Sequence, residues 1–189
     1  MLVNGMVWPY LEVEPVKYRF RFLNACNARF LHLTLMESNA SGIPNGNPGP
    51  AFFQVGSDGG LLPHPVRMNG LLFGTAERID VVVDFSGSAG KSFVLLNDAP
   101  APFPGGGEIV PPNVMLFKVG KPLAARDTSS LPSQLASFPL LDPASAVRTR
   151  RIALTETDRA ADGFPIIALL DQMHWNDAVP PSAPRRCGN

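Results

Sequence analysis

The chain has 189 residues, 45% of them apolar and 17% charged, with sixteen basic residues against sixteen acidic ones. That length builds one full core, or one domain and part of a second. Balanced charge with scattered Lys and Arg argues against a nucleic-acid partner or an anionic membrane surface, and no apolar run nears the roughly 20 residues that span a bilayer.

Twenty prolines and 17 glycines favour many short strands and loops over helices, because both residues interrupt helical runs. The opening MLVNGMVWPY lacks the basic and apolar regions of a signal peptide. Either the protein is made in the cytoplasm or its leader is absent from this chain. Segment 17–24, KYRFRFLN, alternates strictly, with Tyr18, Phe20 and Phe22 on one side and Lys17, Arg19 and Arg21 on the other. That is the period of a half-buried strand. Segment 30–36, FLHLTLM, alternates likewise, placing Leu31, Leu33 and Leu35 opposite Phe30, His32, Thr34 and Met36. SGIPNGNPGP, 41–50, reads as a turn-rich loop before the strand 52–56, and Ser57-Asp58-Gly59-Gly60 as a tight turn.

Further strands are expected over 66–73, 77–85, 91–97 and 113–119. The run Val81-Val82-Val83 suggests a strand covered on both faces. DAPAPFPGGGEIVPP, 98–112, is expected to be a long exposed loop. Short strands at this spacing predict a β-sandwich or barrel for residues 1–120. The Pro/Ser/Ala-rich stretch 121–148 reads as an interdomain linker. Residues 149–189 then resume with strands over 150–157 and 164–171, pairing through Asp162-Gly163 as a hairpin that looks incomplete.

Cys26, His32 and Met36 are the side-chain types of a blue copper site, but a blue site also needs a second histidine. An extended span of ten residues, about 33 Å, also keeps them from one ion. Cys26 reads instead as a small hydrophobe inside a strand. His64, between two prolines, reads as a solvent-facing loop residue, and His174 is isolated. These three histidines, His32, His64 and His174, are the only weak candidates for copper, and no His-x-His pair exists. No nucleophile elbow or phosphate-cradling loop occurs, and Cys26 and Cys187 form no Cys-x-x-Cys pair. Asp80 and Asp84 share a strand face and read as solvated or paired with Arg78 rather than catalytic.

Four passages carry a resemblance. VNGMVWPYLEVEPVKYRFRFLNACNARF resembles the opening of the middle cupredoxin domain of bacterial multicopper oxidases, the spore-coat laccase and bilirubin-oxidase-like group. FFQVGSDGGLLPHPVRMNGLLFGTAERIDVVVDFS, with its Ala76-Glu77-Arg78-x-Asp80 element, resembles that domain's centre. LLNDAPAPFP and LLDQMHWNDAVPP follow in the same order, the last resembling the first hairpin of the third domain. The resemblance implies an all-β, cupredoxin-like Greek-key sandwich or barrel, then a linker and a truncated further domain.

The family reaction it implies is one-electron oxidation of phenolic small molecules coupled to reduction of dioxygen to water. Four coppers serve it, held by His-x-His pairs in the first domain and by His-Pro-x-His-x-His and His-Cys-His segments in the third. None of those motifs is present here, and Cys26 stands where relatives carry a small residue such as Ser. The resemblance therefore implies a copper-free scaffold domain with the flanking cupredoxin domains as partners. It also implies that Pro104, Gly105, Gly106 and Gly107 lie beside the substrate cleft. The ending RRCGN departs from the family pattern and suggests a frame slip or truncation. Exposed faces of such a domain are expected to drive self-association. Two other readings remain: an oxidase with adventitious copper, and a β-sandwich interaction module.

Overall fold

A computed structural model of the chain describes residues 1–107, 112–159, 165–174 and 177. It divides into two compact units, Met1–Phe138 and Pro139–Asn189. The first unit comprises β1 (Leu2–Val3), β2 (Met6–Val7), β3 (Tyr10–Val13), β4 (Lys17–Leu23), β5 (Leu31–Ser38), β6 (Pro44–Pro48), β7 (Phe52–Ser57), β8 (Gly60–Met68), β9 (Gly70–Phe73), β10 (Arg78–Asp84), β11 (Ser92–Asn97) and β12 (Asn113–Val119). β1 and β2 form a small hairpin whose Asn4 and Gly5 both have positive φ, the backbone of a tight two-residue turn.

Two larger sheets enclose the core. One runs β4-β10-β7-β8, and the other runs β3-β12-β11-β5-β6 with β9 also paired to β5. The alternation in β4 and β5 appears as expected: Leu31, Leu33 and Leu35 are buried, and Tyr18, Phe20 and Phe22 pack against the core. At the centre Phe117 meets Phe20 and Phe85 at ring-centroid distances of 5.3 and 5.7 Å. Tilted aromatic pairs of this kind add about 0.5–1.5 kcal/mol each beyond their burial.

Several sequence expectations need correction. The single strand expected over 66–73 is two: β8 pairs with β7 in one sheet, and β9 pairs with β5 in the other. The chain changes sheets at Asn69. Residues 44–48, expected in a loop, form edge strand β6 against β5. Proline is tolerated there because an edge strand has one side with no ladder to complete. β10 is not covered equally on both faces, since Val81 and Val83 are buried while Val82 lies half-exposed between Asp80 and Asp84.

On that outer face the aspartates meet cations of the neighbouring strand. Lys17 stands opposite Asp84, 3.5 Å away, and Arg21 opposite Asp80 at 3.6 Å, with Arg19 also paired to Asp80. Arg78, the expected partner of Asp80, pairs instead with Asp58 at 3.0 Å. Burial raises the Asp84 carboxyl's pKa, but hydrogen bonds from Ser86 and the charge of Lys17 outweigh it, and the net direction is down.

Residues 121–138 fall within the first unit rather than bridging freely out of it. The Lys121 amide donates to the Val13 carbonyl at 3.2 Å, and the Ala124 amide to the Glu14 carboxylate at 3.2 Å. Asp127 lies 3.8 Å from Lys17. At the far edge of the sheet, the Leu135 amide donates to the Pro63 carbonyl of β8 at 2.8 Å. The segment is a strap that runs from the β4 edge to the β8 edge.

The second unit contains a 3-10 turn, Pro143–Ser145, capped by the Asp142 carboxylate, and a hairpin of β13 (Leu154–Arg159) and β14 (Pro165–Leu170). The expected turn at Asp162-Gly163 lies outside the described residues. β13 begins at Leu154 rather than 150, where the Ala153 amide donates to the Asp171 carboxylate at 2.7 Å.

One residue ties the two sheets of the first unit together. Asn24 is fully buried, and its amide nitrogen donates to the carbonyls of Arg29 at 2.8 Å and Phe73 at 3.3 Å. Its side-chain oxygen accepts from the Cys26 amide at 3.1 Å. Asn24→Ala strands these groups and is expected to cost roughly 2–3 kcal/mol; an unchanged urea midpoint would refute that role. The strap carries a second prediction. Hydrogen bonds from the Ser129 hydroxyl and amide, then Lys17, hold the Asp127 carboxyl below its ordinary value. A depressed folded pKa contributes stability above the ordinary carboxylate value, about 3.9, and loses it as pH falls through the folded value. Amide protection across 124–135 should hold from neutral pH to about pH 5 and drop below about pH 4. Asp127→Asn should lower protection at neutral pH and weaken that drop, as read by hydrogen exchange.

Candidate functional site

The loop after β11 is where the sequence places its only substrate-adjacent residues. It leaves the sheet at Asn97, whose side-chain oxygen accepts from the His32 amide at 2.8 Å. The Asp98 amide donates to the His32 carbonyl at 3.2 Å, and the Asp98 carboxylate lies 2.5 Å from His32 Nδ1. The imidazole therefore ties β5 to the first residue of the loop. Its other edge faces Gly70, where a Cβ would come within 2.5 Å of His32 Nε2. Glycine at that point of β9 makes room for the ring.

Beyond Asp98 the loop is not simply a free surface excursion. Ala99 and Ala101 are buried, and Phe103 stacks on Phe30 with centroids 4.5 Å apart and planes 15° from parallel. Peptide bonds Ala101-Pro102 and Phe103-Pro104 are cis. The Gly106 amide then donates to the Pro102 carbonyl at 2.6 Å, folding the segment back on itself. A Cβ on Gly106 would fall 2.1 Å from the Ala101 carbonyl, so only glycine fits. Gly105 and Gly107 have open space around them. Pro104, Gly105 and Gly107 are exposed and Gly106 half-buried. These four residues are brought together as one turn.

The chemistry available at this turn is limited. It offers a stacked aromatic pair, one exposed imidazole–carboxylate contact and several backbone groups. The His32–Asp98 contact ties β5 to the first residue of the loop. Sequence reasoning missed both Asp98 as the histidine's partner and Phe30 as the platform for Phe103. The FPGGG composition gave the loop, but nothing local gives contacts between residues so far apart in the chain.

The weak copper candidates are dispersed. His32 is in β5, its Nδ1 occupied by Asp98. His64 is not a loop residue as expected but lies in β8, where its Nδ1–H donates to the Ser133 carbonyl of the strap at 2.7 Å. The two flanking prolines are accommodated because β8 is an edge strand. His174 belongs to the second unit, its backbone amide donating to the Asp177 carboxylate at 2.6 Å. Cys26 lies in the connection between β4 and β5, half-exposed, and not inside a strand. Among the described residues no three His, Cys, Asp or Glu side chains are placed to hold a metal ion. The donor set does not fit a copper site. Cys187 lies outside the described residues. No helix among the described residues is long and apolar enough to cross a membrane.

Known proteins resemble this chain over nearly all of its length. It is 42% identical over 184 residues to the laccase of Bacillus subtilis, covering 95% of this chain and 32% of that one. A laccase of Bacillus stratosphericus is 44% identical over 183 residues, with the same coverages. Among solved structures, a variant of the McoA multicopper oxidase from Aquifex aeolicus superposes with a TM-score of 0.68 at 34% identity, over 82% of this chain and 32% of that one. The chain thus spans about a third of the length of the curated relatives it matches. No family model matches it.

The loop geometry predicts a sharp difference between neighbouring glycines. Gly106→Ala is expected to abolish the Phe30–Phe103 ring-current shifts in an NMR spectrum, while Gly105→Ala and Gly107→Ala leave them in place. Equal spectra for all three variants would show that the turn is not held as described.

Proposed function

The chain belongs to the multicopper oxidase family, and from that premise we propose that it is a copper-free framework portion of a laccase-like oxidase. Its first unit has the all-β, multi-sheet cupredoxin-like fold, which we read as a Greek-key sandwich. The relatives' chemistry requires copper, and the observation that carries this reading is the scatter of His32, His64 and Cys26 over separate elements. The parent reaction, on this reading, is one-electron oxidation of phenolic small molecules coupled to reduction of dioxygen.

In that setting residues 1–120 act as the middle domain, 121–148 as the connection, and 149–189 as the start of a third cupredoxin domain. The hairpin of the second unit supports the last assignment. An open depression of about 450 Å³ runs along it, lined by Leu154, Thr155, Glu156, Ala168, Leu169 and Leu170. A lone two-stranded hairpin is marginal in water and gains stability from further strands. The Pro104–Gly107 turn, held in shape by Phe103 and Gly106, would line the substrate side of the parent enzyme. Flanking domains are the expected partners, and exposed apolar residues such as Leu2, Met6, Val7, Leu140 and Leu141 give this chain a tendency to self-associate.

One preparation tests the reading against its rivals. After incubation with copper and desalting, the full chain should retain copper well below one equivalent, show no blue absorption band, and oxidise no phenol above the free-ion control. Stoichiometric copper with a blue band would defeat the framework assignment in favour of an oxidase. Light scattering should show the apparent mass rising with concentration, and a constant monomer mass would defeat the self-association.

A further inference from the structure

Basic residues are scattered through most of the sequence, but Arg148, Arg150 and Arg151 cluster within VRTRRI, 147–152. Each of the three is exposed, and among the described residues no carboxylate pairs with any of them. This sets them apart from Lys17, Arg19, Arg21, Arg78 and Lys91, which all face an acid. The backbone around them is equally unengaged. The 3-10 turn ends at Ser145, and the Ala146 amide still donates to Pro143. Regular pairing restarts only at Leu154, with Ala153 already bonded to Asp171. Between these anchors, Val147 to Ile152 carry no helix and no strand, and among the described residues no backbone hydrogen bond. Val147 is fully exposed.

An endoprotease binds its substrate as an extended strand of about six residues, so a bond is cut quickly only where such a stretch is free of other structure. We infer that Val147–Ile152 is a processing site for an endoprotease with acidic specificity pockets, cut at the Arg150–Arg151 bond. That bond is the one whose four residues before and two after coincide with the free window. A cut after Arg148 would draw in Ser145 from the 3-10 turn, and a cut after Arg151 would draw in Ala153. Hydrolysis adds one water across the amide. The hydroxyl goes to the Arg150 carbonyl carbon and the proton to the departing Arg151 nitrogen, leaving a carboxylate and an amine. The product retains the whole first unit with its strap, separated from the hairpin. This goes beyond the framework reading and does not depend on it.

The strap supplies the internal comparison, because Arg126 is also exposed but sits between the Ala124–Glu14 and Asp127–Lys17 contacts. Dilute trypsin on the full chain, followed by mass spectrometry, should cut Arg150–Arg151 ahead of the bond after any other described basic residue, within tenfold of the rate at that bond in the urea-unfolded chain. Cutting after Arg126 should be slowed more than tenfold relative to its own unfolded rate. A first cut after Arg126, or protection of Arg150–Arg151 beyond tenfold, overturns the inference. In the triple variant Arg148→Gln, Arg150→Gln, Arg151→Gln, trypsin should lose this cut while a broad-specificity subtilisin still opens the same window. Equal resistance of parent and variant to subtilisin there would show that the window is closed, and would also overturn it.

Discussion

The first unit depends on the amide side chain of Asn24, fully buried just past the end of β4. Its backbone amide donates to the Glu77 carbonyl, and its own carbonyl accepts from the Ala76 amide. Its side chain satisfies the peptide groups of Cys26, Arg29 and Phe73. The end of β4, the approach to β5, the end of β9 and the start of β10 are thereby fixed to one another. A buried amide of this kind must find partners for all its groups, because an unmatched one costs free energy comparable to the bond it lacks.

The Ala76-Glu77-Arg78-x-Asp80 element acquires a structural meaning from this. Ala76 takes a positive φ of 66°, a conformation a side chain resists. It is held there by the bond to Asn24 and by the turn that the Glu77 carboxylate closes on the Gly74 amide. Arg78 and Asp80 then bind Asp58 and the β4 arginines. The side chains of Glu77, Arg78 and Asp80 all make contacts within the fold.

How much of this was legible in the sequence follows from the range of each interaction. Alternation within β4 and β5 is local, and it showed both the strands and their buried faces. The Asn4-Gly5 pair was an equally local signal for the first hairpin and went unread. What the sequence hid is long-range. The switch of sheets at Asn69, the partner of Asp80 and the tie between His32 and Asp98 all depend on register between strands far apart in the chain. The strap was hidden for a related reason: its composition is that of a linker, and only the carbonyls and carboxylates it meets make it part of the domain. At the candidate site, Pro104–Gly107 could be seen as a loop, but its fixed shape rests on Phe30, seventy-odd positions upstream.

The parallel ladder between β3 and β12 has a bearing on how the protein is made. Val13 registers with Val119 and Tyr10 with Leu116, so the first long strand is completed by the last. An emerging polypeptide cannot close its six-stranded sheet until β12 has left the ribosome, and the loop closed at that moment spans most of the unit. Closing such a distant pairing is entropically slow. Until then the inner edge of β3 has no ladder of its own, which makes the nascent chain's vulnerability to wrong pairing a property of its topology rather than of any one residue.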